Sequence, residues 1–581
     1  MTRNRFALAA LLGTALSLAT LRAQNQAYDQ FAPKPVTPAK SPPPPSAEAA
    51  DTSSGTPAEV LMPALRGIVF VSRAAEVDAK GGRTDAGIVL TPGLVVPAPD
   101  AFRALVSPYL GLALTRGRLN ELINGIVVFY RKHDRPIVDV IVPEQDVNSG
   151  TLQILLLESR VGEVSVVGNK WFSSQGIRKD FRVQPGDEIS ALDMRADLDW
   201  ANQNPFHTSD VVYQPGKDVG TTDVVLQTQD RFPARFYSGY EDSGNRETGF
   251  DRYLVGLNWG DAWDAGWDQQ LNYQYTTSGD FRSLEAHSGS YVIPLKWHHT
   301  LTFFGNYVTT EGAVPPIIAV HGRTYQISGR YTVPLRPIGH YKHSVGVGFD
   351  YKYNKNSLEF GDIPLTAIPV EVRQFAATYD GSLRDAYGIS SISLQGYWSP
   401  GNWGGDNNDV VFGDAHGLAT SRYAYADATA SRLVRLPHDW SLFLRGNLQV
   451  SGANLVPSEQ LGLGGYDTVR GYDEREVNND EGYVLNVELR TPSVSLGKRM
   501  GWTRFDDQLQ FLAFWDYGVG YDHTLLPGEP ADNDLAAVGL GLRYTISSHL
   551  SVRADYGIQL HKSVLDNDHG SRGDIGIVLS Y

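Results

Sequence analysis

From Phe232 to Tyr581, apolar residues alternate with polar residues or glycine in short segments divided by Gly, Asp, Asn and Pro clusters. At the C-terminus Ile575, Ile577, Leu579 and Tyr581 share one face, and Asp574, Gly576, Val578 and Ser580 share the other. From 550 to 560, Leu, Val, Ala, Tyr, Ile and Leu alternate with Ser551, Arg553, Asp555, Gly557 and Gln559. The stretches 538–544 and 483–489 repeat the pattern, the second setting Asn486 and Glu488 opposite leucines. Successive strand side chains point to opposite faces, so this period of two predicts a sheet with two different faces. A helical fold for this half is excluded.

A soluble sandwich alternates too, with its apolar face inward. Here tyrosines and tryptophans gather at segment ends, as the aromatic girdles of a membrane barrel do. Sixteen segments can be counted: 234–242, 250–259, 267–277, 281–293, 299–309, 322–333, 341–353, 369–380, 388–398, 419–434, 440–450, 483–491, 509–521, 536–545, 550–560 and 573–581. The number is even, and the spacing of about 22 residues leaves room for ~9–11 spanning residues plus a connection. The predicted fold class is therefore an all-β, 16-stranded antiparallel transmembrane β-barrel, preceded by α+β modules.

The N-terminus agrees. Arg3 and Arg5 precede an uncharged run from Phe6 to Leu21, and Ala23 offers a cleavage point. This reads as a signal peptide over 1–23. No later stretch is long and apolar enough for a membrane helix, so an exported chain of this kind spans a membrane only as a closed barrel. Residues 24–58 hold Pro33, Pro35, Pro38 and the run Pro42 to Pro45 among Ala, Ser and Thr, and read as a Pro-rich linker. The net charge of −15 argues against nucleic acid, and the absence of cysteine excludes disulfides, thiolate metal sites and cysteine nucleophiles.

Between linker and barrel the period changes. Residues 65–158 predict a strand at Gly67–Val71, helices at 98–111 and 117–132, and strands at 137–142 and 152–157. Residues 160–230 repeat that order, with strands at 164–167, 211–213 and 224–227 and helices near 173–182 and 192–202. Two successive β-α-α-β-β units form a repeat of architecture.

Two motifs stand out in the barrel. The connection after the eleventh segment contains Gly462-Leu-Gly-Gly-Tyr-Asp-Thr-Val-Arg-Gly-Tyr-Asp-Glu474. Its glycines permit tight folding, and Arg470 offers a rigid five-donor fork. The thirteenth segment contains Phe514-Trp-Asp-Tyr-Gly518. Alternation turns Trp515, Tyr517 and Val519 to lipid and Phe514, Asp516 and Gly518 to the lumen. Asp516 is then a partner for an inward-folded arginine, or one of several lumen charges, with Glu488, Arg490, Arg543, Arg553 and Asp555, that wet a pore.

Together these features resemble the two-partner secretion outer-membrane transporters, the haemolysin secretion/activation family with POTRA modules. Val469-Arg-Gly-Tyr472 resembles that superfamily's signature in a long loop folded back into the barrel, here over 451–482. Phe514-x-Asp516-x-Gly518 resembles its strand-thirteen motif, whose Asp pairs with the loop Arg. Val142-Pro-Glu-Gln-Asp146 with Gly150, Asn204-Pro-Phe206, Gly216 and Gly220-Thr-Thr-Asp223 resemble module motifs, and Asp230-Arg-Phe-Pro233 leads into the first strand at Tyr237-x-Gly-Tyr240. The resemblance covers about 60–581. It implies POTRA modules over 65–158 and 160–230, a barrel over 232–581, and ATP-independent movement of an unfolded secreted protein from periplasm to cell surface. The implied partners are that cargo, outer-membrane lipid and periplasmic chaperones, with no nucleic acid, cofactor or metal. The family commonly starts with a helix that plugs the barrel. Residues 24–32 are too short for one and the prolines forbid it further on, so the loop alone is expected to gate.

Two other functions share the barrel: a barrel-assembly insertase, which usually carries more modules, and a passive porin, which needs none. Catalytic and metal readings are weaker. Asp242-Ser243-Gly244 falls in a strand turn, where those residues are ordinary. His298 and His299 point to opposite faces, and Asp532-Asn-Asp534 and Asp566-Asn-Asp-His-Gly570 lack the closing Glu of an EF-hand loop. Expression in a Gram-negative host should give cleavage near Ala23 and recovery in outer-membrane fractions. N-terminal sequencing and detergent extraction check this, and a protein soluble without detergent contradicts it.

Overall fold

The computed structural model describes residues 26–38, 59–80, 85–245, 248–264, 268–314, 318–360, 363–501, 506–562 and 570–581. The signal-peptide reading at 1–23 and the later part of the linker lie outside them. The chain divides into two units, Ala39–Gln203 with His207–Arg231, and Met1–Pro38 with Asn204–Phe206 and Phe232–Tyr581.

The first unit holds both modules. In module one, β1 (Val60–Met62), β2 (Gly67–Val71), β3 (Gly87–Leu90), β4 (Leu114–Thr115), β5 (Val138–Ile141) and β6 (Thr151–Glu158) accompany two helices, Pro99–Val106 and Arg116–Lys132. The main sheet runs β3-β2-β6-β5, with β2 parallel to both neighbours. The second helix starts where the Thr115 side chain accepts a hydrogen bond from the Arg118 amide. Its Leu122, Ile126 and Phe129 lie on one face and pack with Ile68, Phe70, Phe102 and Ile154. Module two has β7 (Arg160–Val167), helices Ser174–Lys179 and Ala191–Ala201, β8 (His207–Pro215) and β9 (Thr221–Asp230), in the sheet order β7-β9-β8. The short strands β1, β3 and β4 escaped the sequence reading because two to four residues show no period.

The second unit is a closed barrel of sixteen strands. They are β10 (Ala234–Glu241), β11 (Arg252–Trp259), β12 (Gln270–Ser278), β13 (Leu284–Pro294), β14 (Thr300–Val314), β15 (Ile318–Pro334), β16 (Tyr341–Phe360), β17 (Ile363–Arg384), β18 (Gly388–Pro400), β19 (Arg422–Arg435) and β20 (Ser441–Ser451). After a loop containing β21 (Leu461–Leu463) and β22 (Val477–Asn479) come β23 (Glu481–Arg490), β24 (Asp507–Tyr521), β25 (Asn533–Ile546), β26 (Leu550–Gln559) and β27 (Ser571–Ser580). All neighbours are antiparallel, and β27 closes on β10 with Tyr237 opposite Ser580. Every predicted segment coincides with one strand. The strands β14–β17 run to 15–22 residues each, beyond the ~9–11 needed to span.

The two faces are inverted relative to a soluble sheet. The buried inner face carries Asn258, Gln274, Gln326, Arg330, Asp350, Lys352, Gln374, Gln449, Glu488 and Asp516. The outer face exposes Val255, Ile327, Val347, Leu485, Leu540, Ile558 and Leu579. Water-facing apolar strips of that size would drive aggregation, so the outer face is covered by lipid. Trp297 and His299 meet the Tyr331 hydroxyl, and Tyr341 meets Tyr379, at strand ends on the side where β10 begins. Phe349, Phe375, Trp398 and Trp403 gather toward the other side. Of the lipid-facing side chains expected on β24, Trp515 is 39% exposed, whereas Val519 near the strand's end is buried.

No helix among the described residues is long and apolar enough to cross a membrane, leaving the strands to do so. A charge on their outer face therefore meets hydrocarbon. Leu540→Arg, midway along β25, should destabilise the barrel by about 2–4 kcal/mol in urea titrations of vesicle-inserted protein. An unchanged midpoint would show that this face meets water.

Candidate functional site: a loop pinned inside the barrel

The β20–β23 loop turns back into the barrel. Its short strands pair, Leu461 with Asn479 and Leu463 with Val477, so the loop enters as a hairpin. Gly464 and Gly465, at φ 99° and 102°, carry the turn into the tip, a backbone shape that costs residues with a Cβ. The tip holds Val469, Arg470, Gly471 and Tyr472, each buried.

Arg470 makes the central contact. Its Nε and Nη2 donate to the two carboxylate oxygens of Asp516 at 2.7 and 2.8 Å, a bidentate fork. Its Nη1 donates to Glu488 at 2.8 Å and lies 3.6 Å from Asp555. The guanidinium sits 3.6 Å from the centre of the Phe514 ring. Asn486 donates to Asp516 at 2.8 Å and to the Thr468 carbonyl at 2.7 Å. Arg470 is 3% exposed and Asp516 0%, so neither charge keeps its water shell.

The remaining lumen charges join the same network. Arg490 donates to Glu488 at 2.6 Å, Arg543 to Asp555 at 2.9 Å and Arg553 to Asp555 at 2.7 Å. Arg553 also pairs with Asp467 of the loop at 3.2 Å. Four arginines thus face the buried carboxylates of Asp516, Glu488 and Asp555 and the half-exposed one of Asp467, and opposite charges meet within one cluster. Asp516, Glu488, Asp555 and Arg553 touch the loop directly, while Arg490 and Arg543 reach only Glu488 and Asp555.

Small residues explain the rest of both motifs. A Cβ on Gly518 would lie 2.9 Å from Val469 Cγ2, so glycine makes room for the loop's valine. A Cβ on Gly471, at φ 94°, would meet the Gly557 backbone at 3.1 Å, and one on Gly557 would meet the Gly471 nitrogen at 2.7 Å. Backbone lies on backbone there. Val469 packs with Leu463, Val484, Leu535 and Ala537, and the Tyr472 hydroxyl reaches the carbonyls of Ala536 and His561 at 2.9 and 2.7 Å. Gly557, Asn486 and Asp467 were not singled out in the sequence, because alternation places a residue on a face without saying what crosses the lumen to meet it.

A second segment lies against the inner wall. Within the stretch expected as linker, Gln26–Asp29 forms one helical turn and the chain continues extended past Pro33 and Pro35. Phe31 is buried against Leu284, Ala286 and Val308, and its carbonyl accepts from Gln274 and Ser288. The Lys34 amide donates to Tyr237 at 2.9 Å, its ammonium pairs with Glu241 at 2.6 Å, and Arg235 reaches the carbonyls of Lys34 and Pro35. The prolines prevent a longer helix, as expected. They do not prevent lumen occupancy, because inner-wall side chains satisfy the extended backbone.

An inverted sheet closed around a polar interior, with an internal loop held by buried charge and N-terminal α+β modules, defines an outer-membrane protein transporter. The chain belongs to the haemolysin secretion/activation family: residues 220–544 match its description, "Haemolysin secretion/activation protein ShlB/FhaC/HecB", and residues 88–159 match the ShlB-type POTRA domain. It is 20% identical over 489 residues to the heme/hemopexin transporter protein HuxB of Haemophilus influenzae strain 86-028NP, covering 81% of this chain and 82% of that one. It is 23% identical over 417 residues to the outer membrane transporter CdiB-2 of Burkholderia pseudomallei, covering 68% of each. The structure of CdiB from Escherichia coli superposes with a TM-score of 0.73 at 17% identity over 99% of both chains, and shares the fold. The barrel lies in the bacterial outer membrane, the POTRA modules lie in the periplasm, and the transported substrate is a secreted partner protein.

The fork between Arg470 and Asp516 sets a stability test. Arg470→Ala leaves Asp516 and Glu488 short of a counter-charge and should cost on the order of 2–4 kcal/mol, below the value for a dry core because lumen water reaches the gap. Arg470→Lys should recover only part, since an ammonium cannot make the fork. Urea unfolding of the vesicle-inserted protein measures both, and equal midpoints for wild type and Arg470→Ala would contradict the pairing.

Proposed function

We propose that the chain captures its secreted partner as an extended, unfolded segment in the periplasm and passes it outward through the barrel without ATP, the Arg470 loop setting the open or closed state. The observation that carries this reading is the polar inner face stoppered by two non-covalent elements, the loop and residues 28–37. A passive porin has no need of such stoppers or of modules. Among the described residues the module sheets end in β3 and β5 in the first and β7 and β8 in the second, the start of β7 being bridged to residues 186–188. Adding an extended cargo strand to such an edge supplies main-chain hydrogen bonds with little demand on sequence. Folding of the cargo outside then biases motion outward.

The cargo is a large haemolysin- or adhesin-like protein, kept unfolded on its way by periplasmic chaperones, and the outer face works against outer-membrane lipid. The reading assigns no catalytic step, cofactor or metal to the chain, since binding and passage account for the site residues. Deletion of 65–158 or of 160–230 should abolish secretion of the cognate partner while the barrel stays inserted. Partner protein in the medium and heat-dependent gel mobility of the barrel measure the two separately. Full secretion by a chain lacking both modules would reject the capture role.

A further inference from the structure

The loop that carries Arg470 is fastened to the barrel a second time. Glu459, eleven residues earlier, accepts hydrogen bonds from Lys352 Nζ at 2.9 Å through each oxygen, from Gln374 Nε2 at 3.0 Å and from the Tyr425 hydroxyl at 2.9 Å. Glu459 and Lys352 are each 1% exposed. These donors stand on β16, β17 and β19, whereas Arg470 is held by β23, β24 and β26, a separate arc of the wall. Residues 28–37 cover a third arc, through Tyr237, Gln274, Ser288 and Phe304 on β10, β12, β13 and β14.

The two fastenings differ in kind. Around Arg470 the loop is held by its side chains and its backbone: Gln559 donates to the Gly471 carbonyl, Asn486 to the Thr468 carbonyl and Arg553 to the Tyr466 carbonyl, while Val469 is packed in an apolar cluster. Around Glu459 a single carboxylate gathers the hydrogen bonds to β16, β17 and β19 and Gln449 donates to the Glu459 carbonyl at 3.0 Å, while five residues earlier Asn454 donates to the Thr524 carbonyl at 2.9 Å and accepts from the Thr524 amide at 3.1 Å. Just before Glu459, Leu455 and Val456 lie in an apolar cluster with Phe412 of the helix Asp409–Ala415, Val370 and Val372. Between the two fastenings lie Gly462, Gly464 and Gly465, the last two at positive φ. The hold on β16–β19 thus rests on one buried carboxylate and the Leu455–Val456 contacts, with fewer wall bonds to backbone than at the Arg470 end, and the end less anchored by its backbone opens at the lower cost.

We propose that Lys352 and Glu459 form the latch of the channel: its release swings the 453–460 part of the loop off the β16–β19 wall and opens a path there, while the Arg470 part stays docked. Lys352 and Glu459 are thus positioning residues that hold the moving part shut. The proposal rests on the transporter reading, but its test needs no cargo, so failure here leaves that reading intact.

The chain contains no cysteine, so single cysteines report cleanly. Val456→Cys marks the moving part and Val469→Cys the docked part, and both positions are buried. Alkylation by a membrane-impermeant maleimide is followed in outer membranes, with and without Glu459→Gln, alongside single-channel recording in planar bilayers. Glu459→Gln should raise the alkylation rate at position 456 and the open probability by about tenfold each, the change brought by about 1.4 kcal/mol, and leave position 469 protected. Lys352→Met should act alike, and the exchange Glu459→Lys with Lys352→Glu should restore protection at 456. Unchanged rates at 456, or equal acceleration at 456 and 469, would overturn the proposal, the first by showing no latch and the second by showing that the loop moves as one piece.

Discussion

An arginine with 3% of its surface exposed must be neutralised where it sits, and that requirement organises the barrel interior. Arg470 cannot give up its proton, so the wall supplies Asp516 as a fork partner, with Glu488 and Asp555 beside it. Those carboxylates draw in Arg490, Arg543 and Arg553. The backbone must then approach closely enough for the fork to reach, which explains glycine at 471, 518 and 557. One ion pair thereby dictates residue types on β23, β24, β25 and β26.

The same constraint bears on how a protein-sized channel stays shut. The inner face is polar because it must be wet when a chain passes, and a polar surface gives little apolar area with which to hold a stopper. The molecule adds directional contacts to a few small apolar patches, at Val469, Leu455–Val456 and Phe31. The loop carries charge to opposing charge, and residues 28–37 align extended backbone with inner-wall donors such as Gln274 and Ser288. Directional bonds between polar surfaces exchange readily for bonds to water or to a passing backbone, because their net worth is only about 0.5–1.5 kcal/mol each. That makes such stoppers removable where an apolar plug would not be.

Much of this was legible in the sequence, and the reasons are specific. Sixteen strands could be counted because period-two alternation recurs in segments of eight or more residues, and because turns such as the one after Ser278 carry Gly279 and Asp280 where strands cannot. Asp516 stood out as one candidate partner for Arg470 because one lies in a glycine-rich loop and the other breaks an aromatic strand, and the family resemblance implied the pairing. Lys352 and Glu459 could not be paired, since 107 residues separate them and neither sits in a distinctive local pattern. Residues 28–37 fall within 24–58, a stretch whose Pro-rich, low-complexity composition reads as a linker, and neither that composition nor the exclusion of a helix says anything about a groove that accepts extended chain. Composition shows what a segment cannot form, and the wall opposite decides what it does.

The central claim is that the loop tip rests against β24 in the closed channel, held there by Arg470. In a chain free of cysteine it can be tested by a single designed bond, V469C with G518C, since a Cβ at 518 would lie 2.9 Å from Val469 Cγ2. The measurement is the fraction of this variant that forms an intramolecular disulfide in isolated outer membranes under mild oxidation. The account predicts nearly complete closure, and sharply reduced closure when Arg470→Ala is added. Two freely alkylated thiols that never join in the otherwise wild-type barrel would contradict it.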